Sequence, residues 1–312
     1  MTDEKKYGDC KALSFYTYSV LKAIGIKSYV ALINAKYNQV PVDPLFPSNH
    51  FNHMILCVPQ KNDSIWLECT SRISDFNYLG SFTENRYALL ITDEGGVLVP
   101  TPVSQPSKNS SSVVTQITLN EDGSGQSSSI LSVKGDSREF MDGFIMAKKN
   151  EQKDFLINTL GFSAPDEFTC NKLNAESIRL DLQIGKIPQF SAGSKMFLNP
   201  RIYSFWSTDL PSTLQRRQDY FFRCAEDKTD TTVYHLPQGF TVDALPQAAT
   251  AQCAYATYCA NYAYDQQKNQ LICTARLVLF KNRIPADQYA EVKSFFDELL
   301  AEESHKIVIK KD

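Results

Sequence analysis

The chain has 312 residues, 43% of them hydrophobic and 12% aromatic, with 32 Lys and Arg against 35 Asp and Glu for a net charge of −3. That length points to about two domains and that composition to a globular chain able to bury a core; the balanced charge, with no long basic run, excludes a strong electrostatic footprint for DNA or RNA. No run of about 18 apolar residues occurs, so no membrane span is expected, and the polar start from Met1 to Lys6 does not read as a signal peptide.

In chain order, Asp9 predicts an N-cap that puts Cys10 in the first turn of a helix. Ala12, Leu13, Phe15, Tyr16, Val20, Leu21 and Ile24 recur near helical period, and Gly25 closes the element. Ser28 to Ile33 reads as a strand, and a loop with Pro41, Pro44 and Pro47 follows. Phe51 to Val58 and Ile65 to Cys69 predict an antiparallel hairpin about the turn Pro59 to Ser64. Ala88 to Ile91 and Val97 to Val99 predict two more strands around Gly95 and Gly96, and the polar stretch Ser104 to Ser112 marks a boundary. Two domains are expected, 1–103 and 104–312.

Beyond the boundary, Val113 to Leu119 and Ser128 to Val133 predict strands joined at Gly123-Ser124-Gly125, a hairpin turn with no helix and Lys to make it a phosphate loop. Residues 137–160 read as one helix ending near Gly161, and 176–283 as mostly short strands. The longest strand expected is Ala251 to Tyr264, looping to Leu271 to Phe280. Pro285 fits the first position of a helix to about Glu303, and Ile307 to Ile309 closes the chain as a strand. The second domain therefore reads as a β-rich sandwich with added helices.

Eight cysteines show no CxxC pair, and the four histidines form no HExxH, so no zinc site is expected. Cys253 and Cys259, six apart in a run read as one extended strand, would lie roughly 20 Å apart, too far to bridge. Most cysteines read as small buried hydrophobes.

Cys10 is different. Free N–H groups and the helix dipole at a helix N-terminus favour thiolate over thiol. A thiolate nucleophile needs a base, and the base an orienting acid. His53 shares a strand face with Ile55 and Cys57. If paired residue numbers across the hairpin sum to about 121 or 123, Glu68 falls on the His53 face, opposite or one diagonal step away; an even sum would separate them. A Glu-oriented His beside a helix-terminal Cys suits cysteine acyl transfer. The plainer readings are a core cysteine, a satisfied strand histidine and a solvated glutamate, and spacing alone leaves both sets open.

Tyr7-Gly8-Asp9-Cys10-Lys11-Ala12-Leu13-Ser14, Phe51-Asn52-His53-Met54-Ile55 and Trp66-Leu67-Glu68-Cys69-Thr70 resemble, in order and spacing, the three signature segments of the bacterial transglutaminase-like superfamily. The resemblance covers about the first hundred residues. It implies an α+β, papain-like transglutaminase core with Cys10 as nucleophile, His53 as base and Glu68 as orienting acid, followed by a β-rich, sandwich-like domain. It implies no metal or organic cofactor. More narrowly, the chain is similar to large cell-envelope proteins of Gram-negative bacteria in which a β-rich domain of unknown function follows such a core, here from about 110 to 312. By that likeness it belongs in the cell envelope or periplasm and takes a peptide or protein amide as substrate.

Two departures stand out. The family usually has Asp where Glu68 stands, and its members carry sequence before the nucleophile helix that completes the core and the oxyanion hole. With nine residues before Cys10, the expectation is a fragment or an incomplete site, with the Cys10 N–H as one oxyanion donor. Among other residues, His50 sits three residues before His53 beside the proline loop and is a weaker base candidate. Trp66 reads as a lid or core packing, and Tyr255, Tyr258, Tyr262 and Tyr264 as cross-strand packing rather than a sugar-stacking surface. The expected function is thiol-dependent acyl transfer on amide bonds, foremost peptidase or amidase-type hydrolysis. The alternative is an inactive transglutaminase-like scaffold that binds a protein or glycan partner.

Overall fold

The computed structural model describes residues 4, 7–39, 42–46, 49–71, 75–212 and 216–312. Met1-Thr2-Asp3 and Lys5-Lys6 of the polar start, and Pro41 and Pro47 of the expected proline loop, lie outside them. The chain divides into two compact units: Met1–Ser104 with Phe221–Cys224, and Gln105–Tyr220 with Ala225–Asp312.

In the first unit, α1 (Cys10–Ala23) is capped as the sequence predicts: the Asp9 carboxylate accepts from the Ala12 N–H at 2.8 Å. Gly25, at φ +79°, takes the left-handed conformation that ends the helix. The strands β1 (Tyr29–Ile33), β2 (His53–Pro59), β3 (Ser64–Leu67), β4 (Tyr87–Thr92) and β5 (Gly95–Pro100) form an antiparallel sheet ordered β3-β2-β1-β4-β5. Strand alternation sorts its side chains into two layers. One holds Ala31, Ile33, Ile55, Cys57, Trp66 and Leu90. The other holds Val30, Met54 and Leu56, against which Cys10, Tyr18 and Leu21 of α1 pack. Ser14, fully buried on α1, donates to the Met54 carbonyl at 3.0 Å and pins helix to sheet. A short helix, α2 (Gly80–Thr83), precedes β4.

The second unit is β-rich. Strands β6 (Ser110–Leu119), β7 (Gly125–Val133), β8 (Glu167–Lys172), β9 (Ser177–Ile184), β13 (Glu226–His235), β15 (Ala249–Gln252), β16 (Ala256–Asp265) and β17 (Gln270–Leu279) form one sheet ordered β15-β16-β17-β13-β6-β7-β9-β8. Its pairs are antiparallel except β13 with β6. The strands β10 (Phe190–Ala192), β11 (Lys195–Leu198), β14 (Phe240–Ala244) and β19 (Ile307–Lys311) form a second sheet, ordered β10-β11-β19-β14; β12 (Tyr220–Phe221) and β18 (Arg283–Ile284) are two-residue strands. Ile117, Leu180 and Leu271 of the large sheet share one core with Leu198, Phe240 and Ile309 of the small one. Helices α3 (Asp136–Met146), α4 (Lys149–Asn158) and α5 (Tyr289–Glu303) complete the unit.

Four expectations are corrected. The single helix over 137–160 is two, because the chain restarts at Lys148, whose N–H donates to the Glu151 carboxylate at 3.0 Å. The long strand Ala251 to Tyr264 is a hairpin in which Thr250 faces Cys259, so Cys253 and Cys259 are not spaced along one extended strand; all eight cysteines are free. Residues of α5 and its N-terminus hold that turn: Glu291 accepts from the Ala254 N–H at 3.3 Å and Gln288 from the Tyr255 hydroxyl. Helix α5 starts at Tyr289 and not at Pro285, because Asp219 takes the Ala286 N–H at 3.2 Å and holds 285–288 as a turn. Finally β3 ends at Leu67, which leaves Glu68 just beyond the strand.

Candidate functional site

The hairpin of β2 and β3 pairs Leu56 with Leu67, Cys57 with Trp66 and Val58 with Ile65. Those numbers sum to 123, an odd register, which sets Glu68 one diagonal step from His53 on the same face. The side chains meet: His53 Nε2 lies 3.1 and 3.0 Å from the two Glu68 carboxylate oxygens, with 9% and 6% of the side chains exposed. Burial opposes ionisation of Glu68. The hydrogen bond to His53, two from Thr70 and the His53 charge outweigh it and hold the carboxyl below its ordinary value. The Thr70 hydroxyl donates at 2.5 Å and its N–H at 3.2 Å, both to Oε1. With Glu68 ionised, Nε2 carries the proton it donates, and in the neutral ring Nδ1 is the nitrogen left to accept one.

Residues that sequence reasoning missed complete this environment. Phe82 meets the His53 ring edge-on, centroids 5.0 Å apart at 67°. Its helix α2 is held by Arg86, whose guanidinium donates to four carbonyls: Asn34 and Lys36 at 2.6 Å each, Glu84 at 2.9 Å and Ser81 at 3.2 Å. Burial lowers Arg86 to about 10, against the opposing charge of Glu84. The Lys36 N–H donates to Phe82 O at 2.8 Å, with Lys36 itself at φ +87°, and the Asn52 amide clasps both backbone groups of Ala35. The left-handed backbone at Lys36 is thus held by a bond to the residue that meets the His53 ring. The only sequence signal was a lone cation, Arg86, before an apolar strand.

Cys10 stands at the first position of α1, partly buried against Val30, Met54 and Leu56. Met54 and Leu56 alternate with His53, so their side chains leave β2 on the other face. Among the described residues no hydrogen bond joins Cys10 to His53. The structure therefore brings His53 and Glu68 together and sets Cys10 beside the chain neighbour of His53. Cys69 packs in the same layer as Cys10, its thiol pushed up by burial against weaker hydrogen bonds from Thr17 and Ser14.

Of the other candidates, His50 is exposed and precedes β2, so it has no strand face. Trp66 is buried core opposite Cys57. Tyr255 and Tyr258 are buried; Tyr258 and Tyr262 donate to Glu303 and Glu302 of α5 at 3.3 and 2.6 Å. The described residues contain no group of three or more His, Cys, Asp or Glu placed to hold a metal, and no helix long and apolar enough to cross a membrane.

Comparisons with known proteins differ in how much of the chain they reach. No curated protein matches. One solved structure, described as "crystal structure of a putative protease from Parabacteroides distasonis ATCC 8503", aligns with 98% of this chain at 10% identity and a TM-score of 0.47. The present chain spans 45% of that protein's length. Residues 194–309 match the model of a family described as a domain of unknown function with solved structure, DUF3858, within the stretch that the resemblance gives to such a domain.

Proposed function

We propose that the first unit catalyses thiol-dependent acyl transfer on amide bonds, foremost hydrolysis of a peptide or protein amide, with Cys10, His53 and Glu68 as its triad. The observation that carries this reading is the contact of His53 Nε2 with both oxygens of an ionised Glu68 at 3.0–3.1 Å. It fixes the ring and leaves Nδ1 as base. The Cys10 thiol gives its proton to Nδ1, and the thiolate adds to the amide carbon. His53 then protonates the departing amine as the C–N bond breaks, and water releases the acyl group from sulfur. The helix N-terminus favours the thiolate, and the Cys10 N–H supplies one oxyanion donor. By the same resemblance we assign the protein to the cell envelope or periplasm.

A second reading rests on Cys10 packing with Met54 and Leu56, residues of opposite alternation to His53. In it the core is a scaffold for a protein partner, and the His53–Glu68 pair only braces the hairpin. The pH dependence of Cys10 alkylation by iodoacetamide, read by peptide mass spectrometry, separates the two. Catalysis predicts that Cys10 reacts well below an ordinary thiol pKa of about 8.5 and slows in His53→Ala. Cys57 and Cys69, raised by burial, serve as slow internal controls. A Cys10 that reacts like an ordinary thiol in both proteins leaves the scaffold.

A further inference from the structure

Strand β13 sits between β17 and β6, yet its inward face carries Glu226, Lys228, Asp230 and Thr232. Their cross-strand neighbours Leu279, Leu277 and Ala275 are buried apolar residues. Charge on the core side of a central strand requires partners, and two of these charges have them. Asp230 pairs with Arg201 at 3.1 Å and accepts from Tyr203 at 2.8 Å and from Thr232. Lys228 Nζ donates to Phe205 O at 3.0 Å and lies over the Phe205 and Trp206 rings at 5.5 and 5.6 Å. Glu226 makes no hydrogen bond or ion pair among the described residues. Glu226 and Lys228 line a cavity of about 340 Å³ walled by Phe140, Met141, Phe144, Phe162 and Trp206.

We propose that this cavity is a binding site for a small ligand with an aromatic or aliphatic body and a protonated amine, the amine meeting the Glu226 carboxylate. The volume lies in the range of small-molecule sites, which combine apolar walls with a few placed polar groups. The sign of the head group follows from the charges. Lys228 also lines the cavity, but its ammonium is drawn to the Phe205 carbonyl and over two rings, so an anionic head would meet the repulsion of the Glu226 carboxylate while competing for that ammonium. Burial raises the Glu226 carboxyl, Lys228 lowers it and Asp136 adds a smaller rise; a bound ammonium would give the carboxylate a hydrogen-bonded cation. The site lies wholly in the second unit and stands independently of the triad.

Calorimetric titration of the full chain with three indoles of one shape tests it: tryptamine, neutral 3-ethylindole and anionic indole-3-propionate. Tryptamine is expected to bind at one site and most tightly. Glu226→Gln, which keeps the side-chain shape, should weaken tryptamine by about tenfold or more while leaving 3-ethylindole unchanged. Met141→Trp, which fills the cavity, should abolish binding of all three. No saturable binding of tryptamine, equal affinity for the amine and the neutral indole, or preference for the anion would each overturn the proposal. That ranking is read on the unmodified protein, so it stands even if a variant fails to fold.

Discussion

At the scale of single residues, Glu68 is ionised against the cost of its own burial, and Thr70 is one reason it can be. A carboxyl whose folded value is depressed stabilises the fold above its unfolded value, and that stabilisation is lost as pH falls through the folded value. Thr70→Val removes the 2.5 Å hydroxyl bond to Oε1 and keeps the backbone N–H bond. The Glu68 titration, followed by carboxyl NMR, should move up towards its ordinary value. The variant should also begin to lose stability at higher pH than the parent, with a cost near neutrality of about 1–2 kcal/mol. An unmoved titration would mean that His53 and the Thr70 N–H hold the carboxylate without the hydroxyl. Since the resemblance normally has Asp at this position, Glu68→Asp tests reach as well. The shorter side chain should lose contact with Thr70 or with His53 Nε2, and slower alkylation of Cys10 would identify the lost contact as the one to the base.

At the scale of elements, α1 and the β2–β3 hairpin were legible because each rests on local chemistry. Asp9 with the helical spacing behind it marks the start of α1, and the centre of the Pro59 to Ser64 turn marks an odd register. Helix α2 was not legible: four residues carry no periodicity, and Arg86 holds them through carbonyls up to 52 positions away in sequence. The hairpin at 253–255 was hidden for the same reason, since Glu291 and Gln288 come from beyond the next strand. These dependences can be tested. Lys at position 86 keeps the charge but cannot span four acceptors with one ammonium. Arg86→Lys should cost about 2–4 kcal/mol in urea unfolding, from several buried carbonyls left unpaired, and should release the Phe82 ring from His53, seen as a change in the His53 ring resonances. Ser14→Ala should cost only about 1 kcal/mol, because one hydroxyl bond to Met54 O is lost and the apolar packing of α1 remains.

At the scale of the whole molecule, alternating strands could be read from the sequence, but their order in the large sheet could not. The parallel pairing of β13 with β6 joins residues more than a hundred positions apart, and no local pattern encodes it. A buried ionic cluster ties other distant segments together: Arg201, 2% exposed, pairs with Asp230 on β13 and Glu303 at the end of α5, while Tyr203 and Tyr258 donate to those carboxylates. Such a cluster is weak evidence for stability, since desolvation cancels much of the attraction, but breaking it one-sidedly strands a buried charge. Arg201→Met should therefore lower the unfolding free energy by about 3–5 kcal/mol. Adding Asp230→Asn and Glu303→Gln removes both stranded charges and keeps oxygen acceptors for Tyr203, Thr232 and Tyr258. The triple variant should be more stable than the single one. If it is equally unstable or worse, the loss comes from the guanidinium itself, whose carbon lies over the Phe205 ring 5.1 Å from its centre, and not from the stranded carboxylates.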